Sequence, residues 1–249
     1  MSGARTFREF VAMERQVAEQ KSYHDPSYFE AHSRRLYSTY VICADLLDTD
    51  SKKLVSFGAG SAYIEHALAN WHQASVTIVD LPERVALLSH FYEQGGFDVI
   101  AADVTAEIKS VPGKFDVALS SELIEHIPRP PVEHIKLLSS AVRSGGDVVV
   151  TTPNFGNIRV IGRLLLMRPV LPPPERTFGA LNFENQDVHR REYLPSEIID
   201  AFKTSRIRHL KTVFTENRSE RRIALSLAVR FVPRFRATMI LHGKNDLPS

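Results

Sequence analysis

Leu54-Val55-Ser56-Phe57-Gly58-Ala59-Gly60-Ser61-Ala62-Tyr63-Ile64-Glu65 decides how the rest of the chain is read. Leu54, Val55 and Phe57 make a short apolar run, which predicts a buried strand, and Gly58 and Gly60 end it in a tight turn. From Ser61 to Ala69 the pattern changes to helical spacing, with Ile64, Ala67 and Leu68 on one face. Strand, glycine turn and helix bring backbone N–H groups against a nucleotide-like ligand in an α/β sheet. A second apolar strand, Val76 to Val79, ends in Asp80, twenty residues beyond Gly60. A carboxylate at that spacing accepts hydrogen bonds from ribose hydroxyls. The unit reads as an adenosine-binding βαβ.

Missing residues narrow the ligand. A dinucleotide fingerprint G-x-G-x-x-G needs glycine at position 63, where Tyr63 stands, so close approach of a pyrophosphate is poorly supported. No G-K-[ST] follows, which excludes a P-loop. An adenosine without phosphates fits better, and S-adenosylmethionine is the ligand expected. Two glycines after a strand also occur in purely structural turns, so the remaining motifs have to decide.

With 249 residues and 43% hydrophobic content, the chain can bury one sizeable core, and one decorated domain is expected. A formal net charge of +2 is too small to require nucleic acid or an anionic surface as partner. The single cysteine, Cys43, excludes an intrachain disulfide framework and suits a reducing cytosol, so a cytoplasmic protein is expected. Its neighbours Val41, Ile42 and Ala44 mark it as a buried structural thiol. The first residues are polar and mixed in charge, unlike a secretory signal. No apolar run approaches the roughly 20 residues that cross a bilayer.

In chain order, residues 4–21 and 26–48 read as two helices around a break at Tyr23-His24-Asp25-Pro26. They cover one edge of the sheet, or act as a lid that supplies Tyr28, Tyr37 or Arg34 to a substrate. Pro82 and Glu83 open a helix to about Tyr92. A third strand runs from Phe97 to Asp103, again ending in a carboxylate at the ligand edge. Pro112-Gly113 turn into a fourth strand, Phe115 to Ser120; a helix over about 131–142 and Gly145-Gly146 lead to a fifth, 147–154. This alternation predicts a largely parallel sheet with right-handed crossovers.

Residues 155–192 break the rhythm. Ile158 to Met167 is apolar with Arg159, Arg163 and Arg168 interleaved, an amphipathic helix stopped by Pro169 and Pro172-Pro173-Pro174. A long insertion at the ligand edge predicts a lid or binding loop, and its basic–apolar alternation also admits contact with a membrane surface. A helix over Ser196–Phe202 and strands near Ile207–Phe214 and Thr238–His242 close the fold. The closing segment is rich in arginine (Arg206, Arg208, Arg218, Arg221, Arg222, Arg230, Arg234, Arg236), as a solvated face or an anion site. The domain plan is an N-terminal helical cap over 1–50 and the main domain over 51–249.

Glu122, Glu125 and His126 follow the fourth strand at i, i+3 and i+4, so one helical turn puts all three on one face. Two carboxylates and an imidazole suit Mg²⁺, Mn²⁺ or Zn²⁺, with His189 as a fourth ligand from the same sheet edge. Two other readings stay open. His126 acts alone as general base with Glu125 orienting it, or Glu125-His126 is structural, bracing the loop before Pro128. The other histidines show no comparable clustering.

Taken together, these segments resemble class I S-adenosylmethionine-dependent methyltransferases, in the branch of ubiquinone-biosynthesis-type O-methyltransferases. Val55 to Gly60 resembles the family's first motif, Asp80 its ribose-binding acid and Asp103 its adenine-contacting carboxylate. Ser121 to Ile127 resembles the motif after strand four, and Leu137-Leu138 through Ser144-Gly145-Gly146 and Thr151-Thr152-Pro153-Asn154 the next helix, turn and strand. His189 to Glu197 is similar to H-x-x-x-[FY]-[ST]-P-x-E of the same branch. The resemblance covers roughly residues 35–242. It implies a Rossmann-like, seven-stranded, mostly parallel sheet with helices on both faces, an N-terminal helical extension and a lid insertion. It also implies cofactor binding by Ser56, Gly58, Gly60, Asp80, Asp103 and Ser120, and methyl transfer to an oxygen of a small metabolite, a sugar or a lipid precursor, glycan- or lipid-linked acceptors included. Some members use the E-x-x-E-H run and a distal histidine for a metal, which implies Glu122, Glu125, His126 and His189 here.

Two residues depart from the family pattern. Ser56 replaces the acid two residues before the first glycine, and Ala62 replaces the third glycine. Ser56 keeps open a different class, a non-catalytic adenosyl-ligand-binding or scaffold protein of the same fold. An RNA 2′-O-methyltransferase is disfavoured by the small net charge and by the lack of an appended RNA-binding module.

Overall fold

Leu54, Val55 and Phe57 are fully buried in the first strand, β1 (Lys53–Phe57), as befits a parallel strand covered on both faces. The computed structural model describes residues 3–20, 26–48, 52–104, 111, 114–171, 188–216 and 229–246. Six further strands join β1: β2 (Ser75–Asp80), β3 (Asp98–Ala101), β4 (Phe115–Ser121), β5 (Val142–Pro153), β6 (Ile207–Thr215) and β7 (Thr238–Asn245). Their order is β3-β2-β1-β4-β5-β7-β6. The pairs among the first five are parallel, and β7 runs antiparallel to both β5 and β6. The seven-stranded, mostly parallel sheet is the one expected.

Helices cover both faces: α1 (Phe7–Gln20), α2 (Pro26–Leu46), α3 (Tyr63–His72), α4 (Pro82–Gln94), α5 (Pro131–Ala141), α6 (Ile158–Leu165) and α7 (Pro195–Thr204). Successive strand residues point to opposite faces, and β1 shows the consequence. Leu54 packs with Phe10, Phe29 and Tyr40 of α1 and α2 and with Leu68 of α3. Val55 and Phe57 pack with Ile135 and Leu138 of α5 and Phe202 of α7. By that alternation Ser56 faces α3. The N-terminal helices therefore share a core with the sheet, and each fully buried aromatic there contributes about 1.5–3 kcal/mol. Cys43 is buried in the same core, and burial pushes its thiol pKa up, which keeps it inert.

Three boundaries differ from the sequence reading. β3 stops at Ala101, so Asp103 lies in the turn beyond the strand. β5 starts at Val142 because Gly145, with φ +69°, carries a register shift that keeps the glycine pair inside the strand. α6 ends at Leu165, and Met167 turns the chain in the left-handed region at φ +52°. Tyr23–Asp25, Pro112-Gly113, Pro172–Pro174, Arg218, Arg221, Arg222 and residues 172–187 of the insertion lie outside the described residues. Among the described residues no helix is long and apolar enough to cross a membrane.

Candidate active site

The C-terminal ends of β1, β2, β4 and β5 open on a cleft of about 1080 Å³. This is where an open parallel sheet binds its ligand. α2 closes one side through Tyr28, His32 and Arg35, and α6 contributes Arg159, Val160 and Arg163.

On one side, the glycine turn is tied to the end of β2. Gly58 and Gly60 adopt φ +66° and +52°, conformations that cost a side-chain-bearing residue about 1–2 kcal/mol. The Gly58 N–H donates to the Val79 carbonyl at 2.8 Å, and the Gly60 N–H to Asp80 Oδ2 at 2.9 Å. The Leu81 N–H donates to Asp80 Oδ1 at 2.8 Å, so one carboxylate oxygen holds the glycine turn and the other is fixed by the residue that follows. Burial raises the pKa of Asp80, and the bonds from Gly60 and Leu81 oppose that rise. A Cβ on Gly58 would lie 2.9 Å from Leu123 Cδ1, so the turn closely approaches the segment after β4. Asp103 lines the cleft beside Asp80. The cradle, the clamped carboxylate and the cleft fit an adenosyl cofactor.

Ser56 and Ser120 are fully buried and lie behind the cleft wall. Ser56 Oγ donates to Glu65 Oε1, and Glu65 does reach the wall. Ser120 Oγ is 2.8 Å from Nε2 of buried His134, whose pKa burial lowers to about 4. Its neighbour Ser121 lines the cleft.

The opposite side gathers distant residues. Glu122, at φ +52°, leaves β4 in the left-handed region, and its N–H donates to the Thr151 carbonyl at 3.0 Å. Its Oε2 pairs with Arg35 Nη1 at 2.8 Å, and Oε1 accepts from Thr151 Oγ1 at 3.1 Å. Arg35 also donates to the Tyr28 hydroxyl at 3.2 Å. Glu125 is fully buried; its Oε2 accepts from Thr152 Oγ1 at 3.0 Å, and its carbonyl accepts from the Arg190 and Arg191 N–H groups. Burial and the neighbouring Glu122 raise the Glu125 pKa well above the usual carboxylate range.

Two histidines complete this side. His126 Nδ1 lies 3.2 Å from the Val188 carbonyl, which can only accept, so Nδ1 carries a proton and Nε2 is the nitrogen with the lone pair in the neutral ring. That Nε2 is 4.0 Å from Glu125 Oε1. His189 Nδ1 lies 3.3 Å from Glu192 Oε1, and the two imidazoles meet edge to face at 4.9 Å. Glu125, His126 and His189 offer ligand atoms within 4.8 Å of one another. Two imidazoles anchored through Nδ1 beside a carboxyl group provide, in the neutral form that binds metals, the donor set of a divalent ion. Glu122 stands outside that set because it faces Arg35.

Sequence reasoning passed over Arg35, His32 and Glu65. Tyr28, His32 and Arg35 recur at i, i+4 and i+7, a helix face that was legible. Arg34 stacks instead over Phe7 at 5.9 Å, and Tyr37 donates its hydroxyl to the Arg5 carbonyl at 3.0 Å, both within the N-terminal packing.

A methyltransferase-domain family model matches residues 29–181, more than half of the chain. The chain belongs to that family, and fold and family together make it a class I S-adenosylmethionine-dependent methyltransferase. Ubiquinone biosynthesis O-methyltransferase of Pseudomonas aeruginosa (strain LESB58) is 32% identical over 106 residues, which cover 41% of this chain and 45% of that protein. The match thus spans less than half of that relative's length. Among solved structures, magnesium protoporphyrin IX methyltransferase from Synechocystis PCC 6803 with bound SAH superposes with a TM-score of 0.59 at 13% identity, covering 96% of this chain and 97% of the other. A SAM-dependent methyltransferase from Aquifex aeolicus gives 0.55 at 10% identity, covering 97% and 99%. Both share the fold.

Proposed function

We propose that this protein methylates an oxygen of a small hydroxylated acceptor, a metabolite, a sugar or a lipid precursor, with a divalent ion held by Glu125, His126 and His189. The convergence of those three side chains within 4.8 Å carries the reading. Gly58, Gly60, Asp80 and Asp103 hold the adenosine end of the cofactor. When bound, S-adenosylmethionine supplies an electrophilic methyl for in-line displacement, where positioning provides most of the rate. A divalent ion supplies Lewis acidity that lowers the pKa of a nearby hydroxyl. The chain's own groups do the rest: Glu125 offers a buried carboxyl that a bound cation would keep ionised, Val188 and Glu192 fix the imidazoles, and Arg35 holds Glu122 and α2 in place.

A metal-free version rests on one observation, the contact of His126 Nδ1 with the Val188 carbonyl, which in the neutral ring makes Nε2 the basic nitrogen, on the Glu125 side, for an acceptor hydroxyl. The far end of α6 bears on how the acceptor arrives. Leu165 and Met167 are 79% and 93% exposed, next to Arg163 and Arg168, which supports an acceptor presented at a lipid surface. Co-sedimentation with anionic vesicles, lost in Leu165→Glu, checks that point; equal pelleting of the variant would remove the lipid surface from the scheme.

The decisive experiment follows methyl transfer from labelled S-adenosylmethionine to catechols, vicinal diols and glycosides, with chelator and with Mg²⁺, Mn²⁺ or Zn²⁺ restored. Transfer to one acceptor class that stops on chelation is expected. Transfer that ignores chelation would leave His126 as base without metal. Transfer to amines alone would overturn the oxygen assignment.

A further inference from the structure

We infer that Glu65 supplies the anionic subsite for the α-ammonium at the methionine end of the cofactor, with Ser56 as the positioning residue that aims it. This rests on the S-adenosylmethionine reading above and assigns a residue that no motif points to. β1 alternation turns Ser56 toward α3, and Glu65 lies in the first turn of that helix. The Ser56 hydroxyl donates to Glu65 Oε1, nine residues away in sequence. Glu65 is only 2% exposed, yet it forms part of the cleft wall beside Gly58 and Tyr63.

A buried carboxylate facing a ligand cleft is a cation site by charge and geometry. Its two oxygens offer about four acceptor positions, so the bond from Ser56 is compatible with donors from a ligand. Screening is weak in such a wall, and a charge-assisted hydrogen bond is about twice as strong as a neutral one. The cofactor carries an ammonium on its amino-acid end, separate from the sulfonium that bears the methyl. Glu65 is held by Ser56 of β1, whereas the Glu125, His126 and His189 cluster that serves the acceptor is built from the segments after β4 and before α7.

The pairing also accounts for the serine at position 56. An acid there would set a second carboxylate within hydrogen-bond reach of Glu65, a like-charge contact that disfavours ionisation of both. Serine donates to Glu65 instead. In this assignment the carboxylate at this end of the cleft stands on the helix facing the strand.

The test measures calorimetric affinities for S-adenosylhomocysteine and for 5′-methylthioadenosine, which lacks the amino-acid end. In Glu65→Gln, S-adenosylhomocysteine should weaken about tenfold or more, the scale of one charge-assisted hydrogen bond, while 5′-methylthioadenosine changes less than twofold. Ser56→Asp combined with Glu65→Gln should recover most of the loss. Equal losses for both ligands would mean that Glu65 merely pins α3 to β1, and no loss for either would remove it from the site. Should Glu65→Gln not fold, the wild-type protein tests the same assignment with S-adenosylhomocysteine lacking its α-amino group: equal affinity for both compounds overturns it. A wild-type protein that binds neither ligand would instead overturn the cofactor reading beneath it.

Discussion

Asp80 is held by the N–H of Gly60, 20 residues away, and by that of the adjacent Leu81, whereas Glu122 is held by the side chain of Arg35, 87 residues away. The contrast runs through the whole cleft. On the cofactor side, backbone amides and one βαβ unit between residues 58 and 80 set the geometry. On the acceptor side, α2, the segment after β4, the end of β5 and the residues before α7 each bring two or three side chains. A site made from local backbone tolerates change elsewhere in the chain. A site made from converging side chains depends on buried charges that must stay paired.

The largest effect should separate the two sides. His126→Ala is expected to slow methyl transfer by about 10²–10⁴-fold while S-adenosylhomocysteine affinity stays within twofold. A matching loss of cofactor affinity, read by calorimetry, would break the division. Next comes the pin between α2 and the acceptor side. Arg35→Met leaves Glu122 without its buried counter-charge and should destabilise the fold by about 3–5 kcal/mol in urea unfolding. Arg35→Met with Glu122→Gln should recover at least half of that, and equal stabilities of the single and double variants would show that the pair is not the cause.

A comparable pH effect belongs to the core behind Ser120. His134 has its pKa lowered to about 4 by burial, against 6.5 in the unfolded chain. Between those values the unfolded state binds a proton that the folded state refuses, so stability falls as pH drops from about 6.5 to 4 and levels off below. The contribution is about 3 kcal/mol, seen as a steeper acid loss in the wild type than in His134→Gln. Parallel pH profiles would contradict it. The smallest change concerns the cofactor turn. Ala62 stands at φ +49°, where the family places a third glycine, and Ala62→Gly should stabilise by up to about 1 kcal/mol. A destabilised variant would mean that the methyl packs better than the strain costs.

Legibility in the sequence follows the same division. The first five strands are read from apolar runs and the turns between them, because each is a local pattern with a local physical cause, whereas β6 and β7 are placed only approximately and the start of β5 is missed. Gly58, Gly60 and Asp80 are legible for that reason: a turn, a close approach and a strand end are written in adjacent residues. Glu65 is not, since its role depends on which face of β1 Ser56 occupies and on where α3 lies. Arg35 shares a legible helix face with Tyr28 and His32, but which face of α2 turns to the cleft is set by packing, so Arg34, one of the residues the lid alternative offered, lies on Phe7 instead. The i, i+3, i+4 reading groups Glu122 with Glu125 and His126 on one helical turn, but residues 122–126 form a turn and no helix, and Glu122 in the left-handed region directs its carboxylate to Arg35.

Titration of S-adenosylhomocysteine into the wild-type protein and into Asp80→Ala, each before and after chelation, tests the cofactor cleft most directly. Micromolar binding by the wild type is predicted, unchanged by chelation and weakened about 100-fold in Asp80→Ala, where hydrogen bonds to a charged group are lost. No binding by the wild type, or equal binding by both proteins, would contradict the assignment of this cleft to S-adenosylmethionine.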